Sequence, residues 1–105
     1  MAITEKTDAN FQESIEKGFY VVDLYGENCG PCRMLAPVIE NVEAQMPFVD
    51  FIKVNTTKNL KTADAFQVDA VPTLLLIKDA QILDRHLGYM NAEQLSDWIG
   101  QYLYC

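Results

Sequence analysis

The sequence predicts one α/β domain, a central mixed β-sheet flanked by four helices. Three features lead there. From Thr7 to Phe66, β-prone runs alternate with helical stripes, which implies parallel strands joined by crossover helices. Leu74–Ile77 sets four large aliphatics in a row, as in a strand buried on both faces. Asp79-Ala80 then offers a tight turn, and so an antiparallel hairpin.

The elements follow in chain order. Ile3 begins a short first strand. Thr7 or Asp8 can cap a helix that turns Phe11 and Ile15 inward and stops at Gly18. Tyr20–Tyr25 is mostly apolar and β-prone, a strand. CGPC follows, then a helix with Leu35, Val38, Ile39, Val42 and Met46 on one stripe. Pro37 should kink that helix, and Met46-Pro47 ends it. Val49–Asn55 is the next strand, and Asn59 opens a short helix carrying Leu60, Ala63 and Phe66. Val71-Pro72-Thr73 leads into Leu74–Lys78, whose hairpin partner is Gln81–Leu87. Asn91 caps a last helix with Leu95, Trp98, Ile99, Tyr102 and Leu103 at helical spacing.

Length and charge narrow the function. The 105 residues suit a single domain over 1–105 with one core. Eight basic residues against 15 acidic ones give a net charge of −7, which disfavours nucleic acid and anionic membranes as partners. MAITEKTDAN has neither a basic nor an apolar leader region, and no apolar run reaches spanning length. A soluble cytoplasmic protein is expected. Three cysteines are too few for a secreted disulfide framework, and in a reducing compartment a CxxC pair suits catalysis or metal binding.

The chemistry lies in CGPC, residues 29–32, at a strand-to-helix junction. Cys29 should be the helix N-cap and Cys32 one turn inside. Free N–H groups and the positive end of the helix dipole favour a thiolate on Cys29, and the thiolate is the attacking form. Gly30 leaves room for a substrate backbone, and Pro31 gives up only an N–H that has no helical partner. Two intervening residues let the sulfurs close a small disulfide ring. Two buried packing thiols are the plain alternative, but Gly-Pro is a costly choice for packing. Zinc would have to recruit Cys29, Cys32, Cys105 and His86, which are scattered without ligand spacing.

VVDLYGENCGPCRMLAP and VPTLLLIKDAQ resemble the thioredoxin family, and the likeness runs over essentially the whole chain. CGPC is joined by an aspartate six residues upstream, a proline five residues after the second cysteine, and a downstream VPT. The resemblance implies a thioredoxin-like fold and a protein-disulfide reductase. The resemblance also implies a depressed pKa for one thiol of the pair. Cys29 would be the nucleophile and Cys32 the resolving thiol. Asp23 matches the family's buried acid. It also interrupts the apolar run YVVDLY, where a charge is expensive. A buried carboxyl with a raised pKa could take the Cys32 proton; the plain alternative is a solvent-facing strand residue.

Lys53 matches the lysine that accompanies this acid, or is a surface lysine whose stem reaches outward. Pro72 matches the proline preceded by a cis peptide, which would set Val71 backbone groups beside the dithiol for an extended client strand. Gly88 matches a glycine on the same docking surface; turn punctuation is the plainer reading of both Pro72 and Gly88. No cofactor is implied beyond the Cys29–Cys32 couple, since no nucleotide-binding fingerprint occurs. Electrons would come from a flavin- and NADPH-dependent thioredoxin reductase, alternatively a ferredoxin-linked one. Disulfide-containing client proteins would receive them, and the chain would act as a monomer. A disulfide oxidase or isomerase, a partner-restricted reductant and a non-catalytic docking module are the competing readings.

Four positions depart from the family pattern. Asn28 stands where most members have tryptophan, and Tyr25 where another aromatic, often tryptophan, occurs. Ala70 and Ala80 replace glycines. Asn28 removes an apolar plate from the docking surface and adds polar groups, so partner choice should change while the dithiol chemistry survives. Trp98 reads as core. Cys105 is assigned no catalytic part.

Overall fold

The computed structural model describes residues 3–103. Five strands are present: β1 (Ile3–Lys6), β2 (Phe19–Tyr25), β3 (Asp50–Asn55), β4 (Thr73–Lys78) and β5 (Gln81–Leu87). Four helices are α1 (Phe11–Ser14), α2 (Gly30–Gln45), α3 (Leu60–Ala65) and α4 (Ala92–Leu103). The sheet order is β1-β3-β2-β4-β5, with β1, β3 and β2 parallel and β4 and β5 antiparallel to their neighbours. The mixed sheet and hairpin are as the sequence predicts.

Strand alternation divides the core in two. Val21, Phe51, Leu74 and Leu76 pack with Leu35, Ile39 and Val42 of α2 and Leu95 and Ile99 of α4. Val22, Leu24, Ile52, Val54, Leu75 and Ile77 pack with Phe11 and Ile15, and the Phe66 ring meets Phe11 edge-on at 5.3 Å. Full burial of one such side chain contributes about 1.5–3 kcal/mol, so the two clusters together can carry a buried carboxyl elsewhere in the fold. Asp23 shares the face of Val21 along β2 and is therefore directed to the α2 side.

Several local expectations need correction. The N-cap of α1 is Asn10, which makes no side-chain cap bond; Thr7 opens the turn before it, its Oγ1 accepting from the Ala9 N–H and its carbonyl from the Phe11 N–H, and α1 is a single turn ending before Gly18. Asp8 serves α3 instead, accepting from the backbone N–H groups of Lys61 and Thr62 and from the Thr62 hydroxyl. Asn59 answers with Oδ1 on the Asp8 N–H and Nδ2 on the Asn55 carbonyl. The two side chains thus clasp α1's approach to α3's start, a long-range pairing that local capping patterns do not encode. Leu60 does not point inward: it is 69% exposed, and Thr62 fills the buried position. Asn91 does cap α4, its Oδ1 accepting from Gln94 N–H while Gln94 Oε1 accepts from Asn91 N–H. Trp98 Nε1 and the Tyr102 hydroxyl both donate to Asp84 Oδ2 at 2.8 Å, fastening α4 to β5.

The β4–β5 turn has positive φ at both central residues, Asp79 (50°) and Ala80 (71°). Asp79 is held by the Gly18 N–H on its carboxylate, whereas Ala80 has no side-chain reason to occupy left-handed space. Ala80→Gly is expected to stabilise the fold by about 0.5–1 kcal/mol, read as a higher urea midpoint. An unchanged or lower midpoint would show that the turn carries no strain at that position.

Candidate active site

The dithiol sits where β2 gives way to α2. Cys29 is the N-cap, in extended conformation (φ −120°, ψ 107°), and its Sγ accepts from the Cys32 N–H at 3.1 Å. Pro31 lies in the first helical turn, where its missing N–H costs nothing. The two cysteines are joined as a disulfide, with Cα atoms 5.2 Å apart. Cys29 is half-buried, while Cys32 is only 6% exposed. One sulfur is therefore offered to a partner and the other is held behind it. Gly30 faces open space, with nothing within 4 Å of the point where a Cβ would stand.

Three chain segments frame the dithiol, and one of them reaches Cys29 Sγ through the Val71 carbonyl. The Val71–Pro72 peptide is cis, and the Val71 carbonyl oxygen lies 3.8 Å from Cys29 Sγ. Gly88 donates its N–H to the Pro72 carbonyl at 2.8 Å and has φ 102°, so glycine is required there by backbone conformation, not by lack of space. Asn28, just before the motif, has φ 55°. Asparagine tolerates this left-handed region better than most residues. Glu27 fixes the same loop: its N–H donates to Thr57 Oγ1, and its carboxylate takes the Asn55 amide and lies 3.7 Å from Lys58 Nζ.

Behind Cys32 opens a cleft of about 380 Å³, lined among others by Asp23, Tyr25, Asn28, Arg33 and Lys53. Asp23 is 7% exposed, and its Oδ1 is buried without a hydrogen-bond partner. Burial raises its carboxyl to about 7; the Lys53 ammonium opposes that rise and the Glu5 carboxylate adds to it. Asp23 pairs in register with Lys53, and Lys53 with Glu5, so the three form one row across β2, β3 and β1. Lys53 is half-exposed and sits 3.9 Å from Glu5, between the two readings the sequence left open. The Tyr25 hydroxyl donates to the other Glu5 oxygen.

Asp23, Asn28, Cys32 and Lys53 line this cleft, Val71 meets Cys29 Sγ through its carbonyl, Pro72 follows it across the cis peptide, and Gly88 is tied to Pro72 by its N–H. Sequence reasoning missed Glu5, because its place beside Lys53 depends on the β1–β3 register. It missed the Asn55–Glu27–Thr57 tie because that depends on the β2–β3 register, which sets Tyr25 opposite Asn55. Cys105 lies outside the described residues. Among the described residues, no group of three or more His, Cys, Asp or Glu could hold a metal ion, and no helix is long and apolar enough to cross a membrane.

Two cysteines that can join and part at a helix N-terminus, set on this five-stranded sheet, make a thiol–disulfide oxidoreductase of the thioredoxin-like fold. The thioredoxin family model matches residues 2–101. A thioredoxin of Chlamydia pneumoniae is 40% identical over 93 residues, covering 89% of this chain and 91% of the relative. Thioredoxins of Staphylococcus haemolyticus and Staphylococcus aureus are each 36% identical over 104 residues, 98% of this chain and 100% of theirs. The chain belongs to the thioredoxin family.

Proposed function

We propose that this protein reduces client disulfides through Cys29 and Cys32 as a single-domain monomer in the cytoplasm, with no bound cofactor. The observation that carries the reading is the Cys32 N–H aimed at Cys29 Sγ at the head of a 16-residue helix. Those amides and the helix dipole favour a sulfur anion at Cys29 once the disulfide is reduced. The Cys29 thiolate attacks one client sulfur, and the other client sulfur leaves as a thiolate. Cys32 then gives its proton to Asp23 and attacks Cys29 Sγ. The second client thiolate departs, two electrons having passed to the client and the Cys29–Cys32 disulfide having formed. Val71 backbone groups, Pro72 and Gly88 form the ledge for an extended client segment. A flavin- and NADPH-dependent thioredoxin reductase returns the electrons; a ferredoxin-linked reductase is the second candidate.

Asn28 makes the reading specific. It puts amide groups where most of the family presents an aromatic plate, and its left-handed backbone suits asparagine. Client choice is therefore restricted relative to the family. The test is steady-state reduction of several protein disulfides, wild type beside Asn28→Trp, driven in turn by each reductase type. Wild type should turn over with one of the two. Asn28→Trp should change the ranking of clients by about tenfold, the worth of one aromatic anchor. Failure of wild type to reduce any client removes the reductase reading. Equal rates for both proteins on every client remove the restriction.

A further inference from the structure

The sheet row Glu5–Lys53–Asp23 raises the question of what the outer carboxylate does. Lys53 stands between two acids, in register with both. One is buried and has an oxygen with no partner; the other is half-exposed and holds the ammonium at 3.9 Å. A cation would ordinarily favour the buried site, where its attraction is least screened. Here Glu5 is itself fixed, because Tyr25 donates its hydroxyl to one oxygen while Lys53 approaches the other. Tyr25 is on β2, two residues beyond Asp23 and on the same face. Burial and the Glu5 hydrogen bond push the Tyr25 phenol upward, so it stays a donor throughout the working range.

We propose that Glu5, clamped by Tyr25, is a positioning residue for the proton-transfer step: it draws the Lys53 ammonium outward and leaves Asp23 without a paired cation. An Asp23 carboxyl paired with Lys53 would remain ionised and be a poor acceptor for the Cys32 proton. Held apart from it, Asp23 can exchange a proton near neutrality. The charged and titratable groups around Asp23 are few. They are Lys53 on β3, Glu5 on β1, Tyr25 on β2, Glu27 in the following loop, and Cys32 and Arg33 on α2. β4 presents Leu74 opposite Asp23 and contributes no charge. The inference rests on Asp23 acting as the proton acceptor, and the experiment separates the two.

The Asp23 carboxyl is titrated by carbon NMR in the disulfide form, and the rate of client reduction is followed against pH. Glu5→Gln keeps an acceptor for Tyr25 but loses the charge, so Lys53 is released toward Asp23. The Asp23 midpoint is expected to fall by about one pH unit, and the limb of the rate profile with it. Tyr25→Phe should shift both the same way, by less. In a Lys53→Met background, Glu5→Gln should move the midpoint much less, since the cation it steers is gone. A midpoint unmoved by Glu5→Gln, or moved equally with and without Lys53, overturns the proposal. A wild-type rate profile in Asp23→Asn overturns instead the acceptor role on which it rests, whatever the midpoint does.

Discussion

Cys32→Ser is expected to halt the reaction after its first step and leave the client bound. Multiple-turnover reduction should fall by at least ~10³-fold, because no second sulfur remains to attack Cys29. The client should accumulate as a one-to-one mixed disulfide on Cys29, visible by non-reducing electrophoresis and by mass. The geometry supports the asymmetry. Cys29 is half-buried and borders the Val71 carbonyl, while Cys32 is 6% exposed beneath it. A client can therefore reach only the first sulfur. Cys29→Ser should lose turnover equally but trap nothing. Trapping by Cys29→Ser would mean that the roles are exchanged. Trapping that disappears with Cys105→Ser would mean that the terminal thiol is the one attacked.

The second large effect concerns stability. Asp23 has a folded carboxyl near 7 against an ordinary value of 3.8. The native state therefore keeps a proton that the unfolded chain has already lost. Below about pH 4 both states are protonated and the group costs nothing extra. Between pH 4 and 7 stability falls as pH rises, and above 7 the full penalty remains. Three units correspond to roughly 4 kcal/mol. Asp23→Asn removes the ionisable group with little change of shape. Its urea midpoint should match wild type at pH 4 and exceed it at pH 8 by the equivalent of about 2–4 kcal/mol. The same variant should reduce clients about 10²-fold more slowly, the usual worth of one proton acceptor. A parallel pH dependence in the two proteins would show that Asp23 is not the buried charge. A gain in stability against a loss in rate is the pattern expected of a residue retained for chemistry.

Much of the fold and of the dithiol site is legible in the sequence. The order of strands and helices follows from periodicity, and the dithiol's place at a helix start from the apolar strand before it and the stripe after it. What escaped was set by contacts distant in sequence. Asp8 stands where it can cap the nearest helix, yet its oxygens go to Lys61 and Thr62. On α3 the apolar Leu60 is exposed while the polar Thr62 is buried against Asp8, a reversal that composition alone does not signal. Glu5 has no local pattern that marks it; only the register of β1 on β3 brings it to Lys53. Asn28 could be noticed as a departure in sequence, but its φ of 55° could not. A residue that suits left-handed backbone is in keeping with a loop built around asparagine, not one that merely lost its tryptophan.

The chain has a single tryptophan, and its indole N–H is spent on Asp84 where α4 meets β5. Its fluorescence is therefore a probe of how the C-terminal helix seats on the sheet edge. Emission should track loss of that seating during unfolding, giving an optical signal whose chromophore is not part of the cleft where the thiols react.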